Sequence, residues 1–323
     1  MDQSVARLHE LYLARADLRA ASVRFKQQSL AYFVQWFGDV EVENVTQAMA
    51  EDFKMLLAKG RSKVTANGYL SNFKPFWGWL FRHRTIEQNP FEGIQLFRVT
   101  PVRRETFSPQ ELGRIVKVAS RLWRVRVCLG LLGCRRAEVL NVLVRDINLS
   151  APHPHILLSP KTVSKNTWPW GLKDHAVRYI ALPEMMRFEG ACVELHRDVV
   201  RLMEKLEDDQ PYLCIEKRYF KKLIRWQKEG RQLDLQSLDP TGNFQRMFRD
   251  LQKRANVNPT RRYHELRAAF ISKMIEEYDL SRAAEAAGHS SVQTTRQYHR
   301  YSEMSLVADM GHVAEKCYQS TVL

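Results

Sequence analysis

The chain has 323 residues, with 50 Lys and Arg against 36 Asp and Glu, a net charge of +14 and an isoelectric point near 9.7. That length can bury two cores, and no apolar run approaches the roughly 20 residues of a membrane span. The amphipathic N-terminus lacks the features of a secretory signal and no lipidation motif favours a membrane, so the positive charge points to a nucleic-acid partner, while the scattered cysteines point to a cytoplasmic location.

Residues 1 to about 96 read as helices. In "SLAYFVQWF", Leu30, Phe33, Val34 and Phe37 fall at i, i+3, i+4 and i+7, one buried stripe. Thr46 suits the N-cap of a helix carrying Met49, Phe53, Leu56 and Leu57 and ending at Gly60. Ser62 suits the cap of the next, with Phe73, Phe76, Trp77 and Leu80 behind it and a kink expected at Pro75. "EQNPFEGI" then breaks the pattern. The next stretch, 97–106, is a basic linker whose Arg98, Arg103 and Arg104 suit an extended segment beside phosphates.

A second domain, 107–323, starts at Ser108, Pro109 and Glu111, which form a capping box with proline at the first helical position. Helix is expected through "LGRIVKVASRLWRVRVCLGLLG" and "RRAEVLNVLV". The runs "PHILLSP" and "AVRYIALP" read as short strands. Basic helices return at "KRYFKKLIRWQKEGR" and "NFQRMFRDLQKRA", with aromatic faces packed and cations outward. The five cysteines are scattered and never form C-x-x-C, which argues for reduced thiols and against a zinc site. No phosphate loop, H-E-x-x-H or carboxylate cluster with metal-ligand spacing occurs.

Four separated pieces carry possible chemistry. In "GLLGCRRAEVL", Glu138 stands three residues after Arg135 and either holds its guanidinium or makes a solvated ion pair. In "WPWGLKDHAVRYIALP", Lys173 precedes a strand and is either a mobile ammonium or an ordinary exposed lysine. In "RRYHELRAAF", His264 and Arg267 share a helix face and can meet one phosphate, although a packed histidine is the plainer reading. In "AGHSSVQTTRQYHRY", His289 follows Gly288 and Tyr298 comes nine residues later; such a tyrosine is more commonly core or interface.

Together, the order and spacing of these pieces resemble the tyrosine recombinases, the lambda-integrase-like family that includes the Xer and Cre proteins. The T-G-x-R-x-x-E-L box is answered by "LGCRRAEVL", with Leu132 in the usual Thr position. Lys173, Arg178 and "IALP" keep the register of the hairpin lysine, "HELR" matches H-x-L-R, and "AGHSSVQTTRQY" matches the nucleophile box. Three features depart from the pattern. Arg300 stands where the family often has His, with His299 beside the tyrosine; Lys161 in "SPKT" rivals Lys173; and Tyr301 and Tyr263 lie near, off the nine-residue spacing.

The resemblance implies a mainly α fold with a small β-sheet: an N-terminal helical core-binding (SAM-like) domain over 1–96 and an α+β tyrosine-recombinase catalytic domain. It implies site-specific recombination through a 3′-phosphotyrosyl intermediate, without metal or ATP and hence with no cofactor. Tyr298 would be the nucleophile, Lys173 the general acid, and Arg135, Arg267, His264 and His289 the phosphate ligands. The partner would be double-stranded DNA with paired half-sites, bound by a homo-oligomer (a dimer per site, a tetramer in synapsis). Leu306, Met310, Val313 and Cys317 mark an amphipathic helix over about 303–318. It either packs on its own domain or exchanges into a neighbouring protomer. A type IB topoisomerase, a catalytically silent DNA-binding regulator and a carboxylate-and-metal integrase are the alternatives.

Overall fold

The computed structural model describes residues 3–15, 20–100, 106–172, 177–207, 209–230, 243–289 and 291–296. Arg103, Arg104, Lys173, Tyr298, Tyr301 and the segment 303–318 lie outside the described residues. The chain divides into two compact units, Met1–Arg104 and Glu105–Leu323.

The first unit holds α1 (Val5–Arg15), α2 (Ala20–Phe37), α3 (Gln47–Ala58) and α4 (Lys63–Arg82). The expected caps are present: the Thr46 and Ser62 hydroxyls accept from the Met49 and Thr65 amides. The α4 helix runs through Pro75 without a break in its assignment. Its core is aromatic, with Phe33, Phe53, Phe73, Phe76, Trp77 and Phe91 all fully buried. Each such Phe contributes roughly 1.5–3 kcal/mol over leaving it exposed. Phe97 is tied into this unit: Asn67 donates to its carbonyl at 2.9 Å and accepts from its amide at 2.8 Å.

The second unit begins with α5 (Pro109–Val118), whose Ser108–Glu111 capping box forms as expected. It continues with α6 (Arg121–Leu131) and the five-residue α7 (Arg136–Leu140). Helix was expected to run on through Val144. Instead Val142 and Leu143 leave it to join the chain beside Tyr212: the Leu213 amide donates to the Val142 carbonyl, and Leu143 bridges Tyr212. Two β-branched valines favour this extended path over another helical turn.

Strands β1 (Ile147–Asn148), β2 (His155–Leu158) and β3 (Arg178–Ala181) form an antiparallel sheet in that order, with Ile156 opposite Ile180. A hairpin of β4 (Met185–Phe188) and β5 (Ala191–Glu194) follows, which sequence patterning did not foresee. The remaining elements are α8 (Leu195–Met203), α9 (Lys217–Lys228), α10 (Phe244–Arg254), α11 (His264–Glu277), α12 (Leu280–Ala287) and α13 (Val292–Arg296). On the two basic helices Phe220, Phe244 and Phe248 are buried, while Lys217, Arg218, Lys221 and Lys222 face solvent.

Two packing features place the functional segments. The loop between β2 and β3 folds back on the unit: Trp168 stacks on Tyr212 with ring centroids 3.8 Å apart and donates to Asn141 Oδ1 at 2.8 Å. Helices α6 and α11 approach closely at Gly130. A Cβ there would stand 2.9 Å from both Leu266 Cδ1 and the Tyr263 hydroxyl. That hydroxyl donates to the Arg126 carbonyl, which pins the first turn of α11. Gly130→Val is therefore expected to cost about 1–3 kcal/mol by overpacking and to lower Tm by several degrees. An unchanged melting curve would mean that α6 and α11 do not meet there.

Candidate active site

Arg135 caps the start of α7, and Glu138 folds back onto it. The carboxylate accepts from the Arg135 amide at 2.6 Å and from its Nη1 at 3.0 Å. Its Oε2 also accepts from Arg178 Nη2, on β3, at 2.5 Å. The Glu138 side chain is only 2% exposed, so this is a buried carboxylate between two guanidiniums and not a solvated surface pair. Burying such a charge is tolerable only with partners of this kind.

Arg267 projects from the first turn of α11 and is buried. Its Nη1 donates to the Gly133 carbonyl and its Nη2 to the Ala287 carbonyl, the latter at 2.5 Å. Its Nε is buried and has no hydrogen-bond partner among the described residues. Burial, then the like charges of Arg135 and Arg178, pull its pKa down to about 10, with Glu138 opposing. The group stays cationic at neutral pH. Its folded-state value is depressed, so the cation is disfavoured in the fold, and an anion bound beside it relieves that cost.

The three arginines meet at one helix end. Arg178 Nη1 donates to the Ala286 carbonyl at 2.9 Å, Arg267 to Ala287, and Arg135 Nη2 to Gly288 at 3.2 Å. The C-terminal carbonyls of a helix carry partial negative charge, so cations are favoured there. Gly288 closes α12 in the left-handed region, with φ of +63°. That turn delivers His289, whose amide donates to the Ala284 carbonyl at 2.9 Å. Its Nδ1 stands 2.8 Å from the hydroxyl of Thr295, which is fully buried three residues before Tyr298.

The structure thus brings Arg135, Glu138, Arg267 and His289 to one place. His264 stands exposed at the start of α11, three residues before Arg267. Arg98 is exposed beyond the helices of the first unit. Lys161, the rival hairpin lysine, is 1% exposed in its side chain, and its Nζ donates to Asp146 Oδ2 at 2.6 Å. Tyr263 is buried and hydrogen-bonded to a backbone carbonyl, and burial raises its pKa well above the ordinary phenol value. Of the β2–β3 loop, Trp170 and Leu172, just ahead of Lys173, are anchored at 5% and 3% exposure.

Sequence reasoning used Arg178 only for register and did not weigh Thr295. A signal for Arg178 existed: it alternates with Ile180 and Leu182 on the buried face of its strand, and a cation in that phase needs a counter-ion. For Thr295 no comparable signal is present.

Among the described residues, three guanidiniums and a helix-end histidine gather around the buried Glu138 carboxylate, a net-positive cluster in which Arg135 and Arg267 suit an oxyanion of phosphate type. The phage integrase family model matches residues 108–304, more than half of the chain. The chain belongs to that family, the tyrosine-type site-specific recombinases. Its fold is similar to the Tn1549 transposon integrase in complex with a circular intermediate DNA (17% identity, TM-score 0.72, covering 96% of this chain and 100% of that one). It is also similar to a lambda integrase dimer bound to a COC′ core site (13% identity, TM-score 0.66, covering 92% and 95%). A lambda integrase tetramer bound to a Holliday junction matches at 14% identity and TM-score 0.65, covering 93% of this chain and 78% of that one. At these identities the likeness is one of fold. No curated protein sequence matches the chain significantly. No described helix is long and apolar enough to cross a membrane.

Inorganic phosphate at tenfold its dissociation constant should stabilise the protein by about 1.4 kcal/mol, a Tm rise of roughly 3–5 °C. Arg267→Gln should lose most of that rise in a thermal melt. An equal rise in both proteins would place the anion elsewhere.

Proposed function

We propose that this recombinase cuts and rejoins DNA strands through a covalent 3′-phosphotyrosyl bond at Tyr298, without metal or ATP. The observation that carries the reading is the convergence of Arg135, Arg267 and His289 at the end of α12, with the Arg267 Nε buried and without a hydrogen-bond partner among the described residues. A phosphodiester repels nucleophiles, and attack concentrates charge on its non-bridging oxygens. Arg135 and Arg267 clamp those oxygens, and His264 and His289 donate further hydrogen bonds. One preorganised donor of this kind is worth about 2.7–4 kcal/mol in the transition state. The hydrogen bonds that tie Arg135, Arg267 and His289 to the fold support a clamp that needs little reorganisation at the moment of reaction.

The Tyr298 oxygen forms the new bond to phosphorus as the bond to the 5′ oxygen breaks. A phenol has a pKa of about 10 in water, so the surrounding cations favour loss of its proton. Lys173 gives a proton to the departing 5′ oxygen, a role generally worth roughly 10²–10⁴ in rate. The burial of Lys161 against Asp146 supports Lys173 over its rival, and the burial of Tyr263 supports Tyr298. The phosphotyrosine conserves the bond energy, so a second 5′ hydroxyl can reverse the attack and rejoin the strand.

The lambda and Tn1549 integrases were captured on DNA, as a dimer and a tetramer in the lambda case. This supports duplex DNA with paired half-sites as the partner, a dimer per site and a tetramer in synapsis. The first unit, Arg98, Arg103 and Arg104 would supply phosphate contacts, with the DNA-associated protein in the cytoplasm. The segment about 303–318 would exchange between protomers.

Tyr298→Phe should abolish covalent adducts on a nicked suicide duplex while leaving binding unchanged in a gel shift. Adducts that persist and map to Tyr301 would move the nucleophile, and strict dependence on Mg²⁺ in an EDTA titration would overturn the metal-free mechanism.

Lys173→Ala should slow cleavage by roughly 10²–10⁴, and a substrate with sulfur at the 5′ bridging position should recover much of the loss. A thiolate leaves without a proton, so equal defects on both substrates would assign the acid to another group.

A further inference from the structure

We propose that Arg178 is a positioning residue of the phosphate clamp, supplying the counter-charge of Glu138 so that the charge of Arg135 remains available to the substrate. The inference rests on the assignment of Arg135 and Arg267 to phosphate. Arg178 touches each segment that carries the clamp. Its Nη2 donates to Glu138 Oε2 at 2.5 Å and to the Gly133 carbonyl at 3.3 Å, and its Nη1 donates to the Ala286 carbonyl at 2.9 Å. The side chain is 9% exposed, so water is a poor substitute for these partners.

The shape of the site agrees with this role. A Cβ on Gly288 would stand 2.9 Å from Arg178 Cδ, so the left-handed glycine that turns the chain toward His289 also leaves room for the arginine stem. Only a planar fork with several donors spans a carboxylate and two backbone carbonyls from one strand position.

The charge distribution gives the reason for the residue. Glu138 accepts from both the amide and Nη1 of Arg135. Facing Arg135 alone, the carboxylate would cancel the guanidinium beside it, and a phosphate arriving there would meet little net positive charge. Arg178 approaches the same carboxylate from β3 and neutralises it. Its Nη1 and Nη2 are engaged with the Ala286 and Gly133 carbonyls and with Glu138, so it acts through Glu138, Arg135 and the α12 end.

The test uses the full chain and compares Arg178→Met, Arg178→Lys, Glu138→Gln and the double variant Glu138→Gln/Arg178→Met. Single-turnover adduct formation on the suicide duplex is measured beside half-site binding, thermal unfolding and hydrogen exchange at the Gly288 and His289 amides. Arg178→Met should bind the half-site normally yet cleave slower by a factor of about 10–100, since one catalytic donor is generally worth 10²–10³ and this residue acts through another. Arg178→Lys should recover only part of the loss. The double variant should cleave faster than Arg178→Met, because the uncompensated carboxylate is gone; a residue serving only the fold would show no such rescue. The two amides should exchange faster in Arg178→Met while the rest of the unit does not.

Wild-type cleavage by folded Arg178→Met, or equal independent defects with no rescue, overturns the proposal. Should Arg178→Met fail to fold, Arg178→Lys carries the test in both assays, and wild-type cleavage with unchanged exchange overturns it. If the wild-type protein forms no adduct, the phosphotyrosine reading falls. Exchange at the two amides, and the phosphate-induced Tm rise in Arg178→Met against wild type, then decide the role of Arg178: no difference in either overturns it.

Discussion

Glu138 holds a negative charge at 2% exposure, and the second unit is arranged around satisfying it. One partner comes from the same turn, Arg135, and the other from β3, Arg178. Removing one partner of a buried pair typically costs about 3–5 kcal/mol because a charge is stranded. The interaction that joins the β-sheet to the α7 turn therefore also sets where the Arg135 guanidinium stands. Fold and site share one electrostatic requirement.

The end of α12 satisfies the rest of that requirement. Three successive carbonyls, at Ala286, Ala287 and Gly288, accept from Arg178, Arg267 and Arg135. Helix-end carbonyls need partners once buried, and guanidiniums need acceptors that leave some positive charge unspent. A neutral carbonyl does this where a second carboxylate would have cancelled it. The same helix end carries His289, whose ring meets the Thr295 hydroxyl, so arginine placement and the position of that histidine are mechanically linked.

Burying Arg267, and setting it beside two further guanidiniums, has a cost, visible in the fall of its pKa to about 10. The helix packing resists it: α6 and α11 close at Gly130, and Tyr263 anchors the α11 start to Arg126. Sites that bind developing charge commonly hold groups in arrangements that are unfavourable until the ligand arrives. Among the described residues the Arg267 Nε is left buried with no hydrogen-bond partner.

The residue pattern alone determined the helical character of the first unit, the Thr46, Ser62 and Ser108 caps, the strands at 155–158 and 178–181, and the four boxes that carry the family. These are local quantities: a hydroxyl three residues before an amide, an apolar period, a spacing along one chain. Tertiary structure alone decided that α7 stops at Leu140, that β4 and β5 form a hairpin, and that Glu138 is buried rather than solvated. It alone turned Lys161 inward to Asp146 and brought Arg178 to Glu138, 40 residues away. A side chain's sequence states its charge and its face, but the partner that neutralises it is chosen by which distant elements pack together.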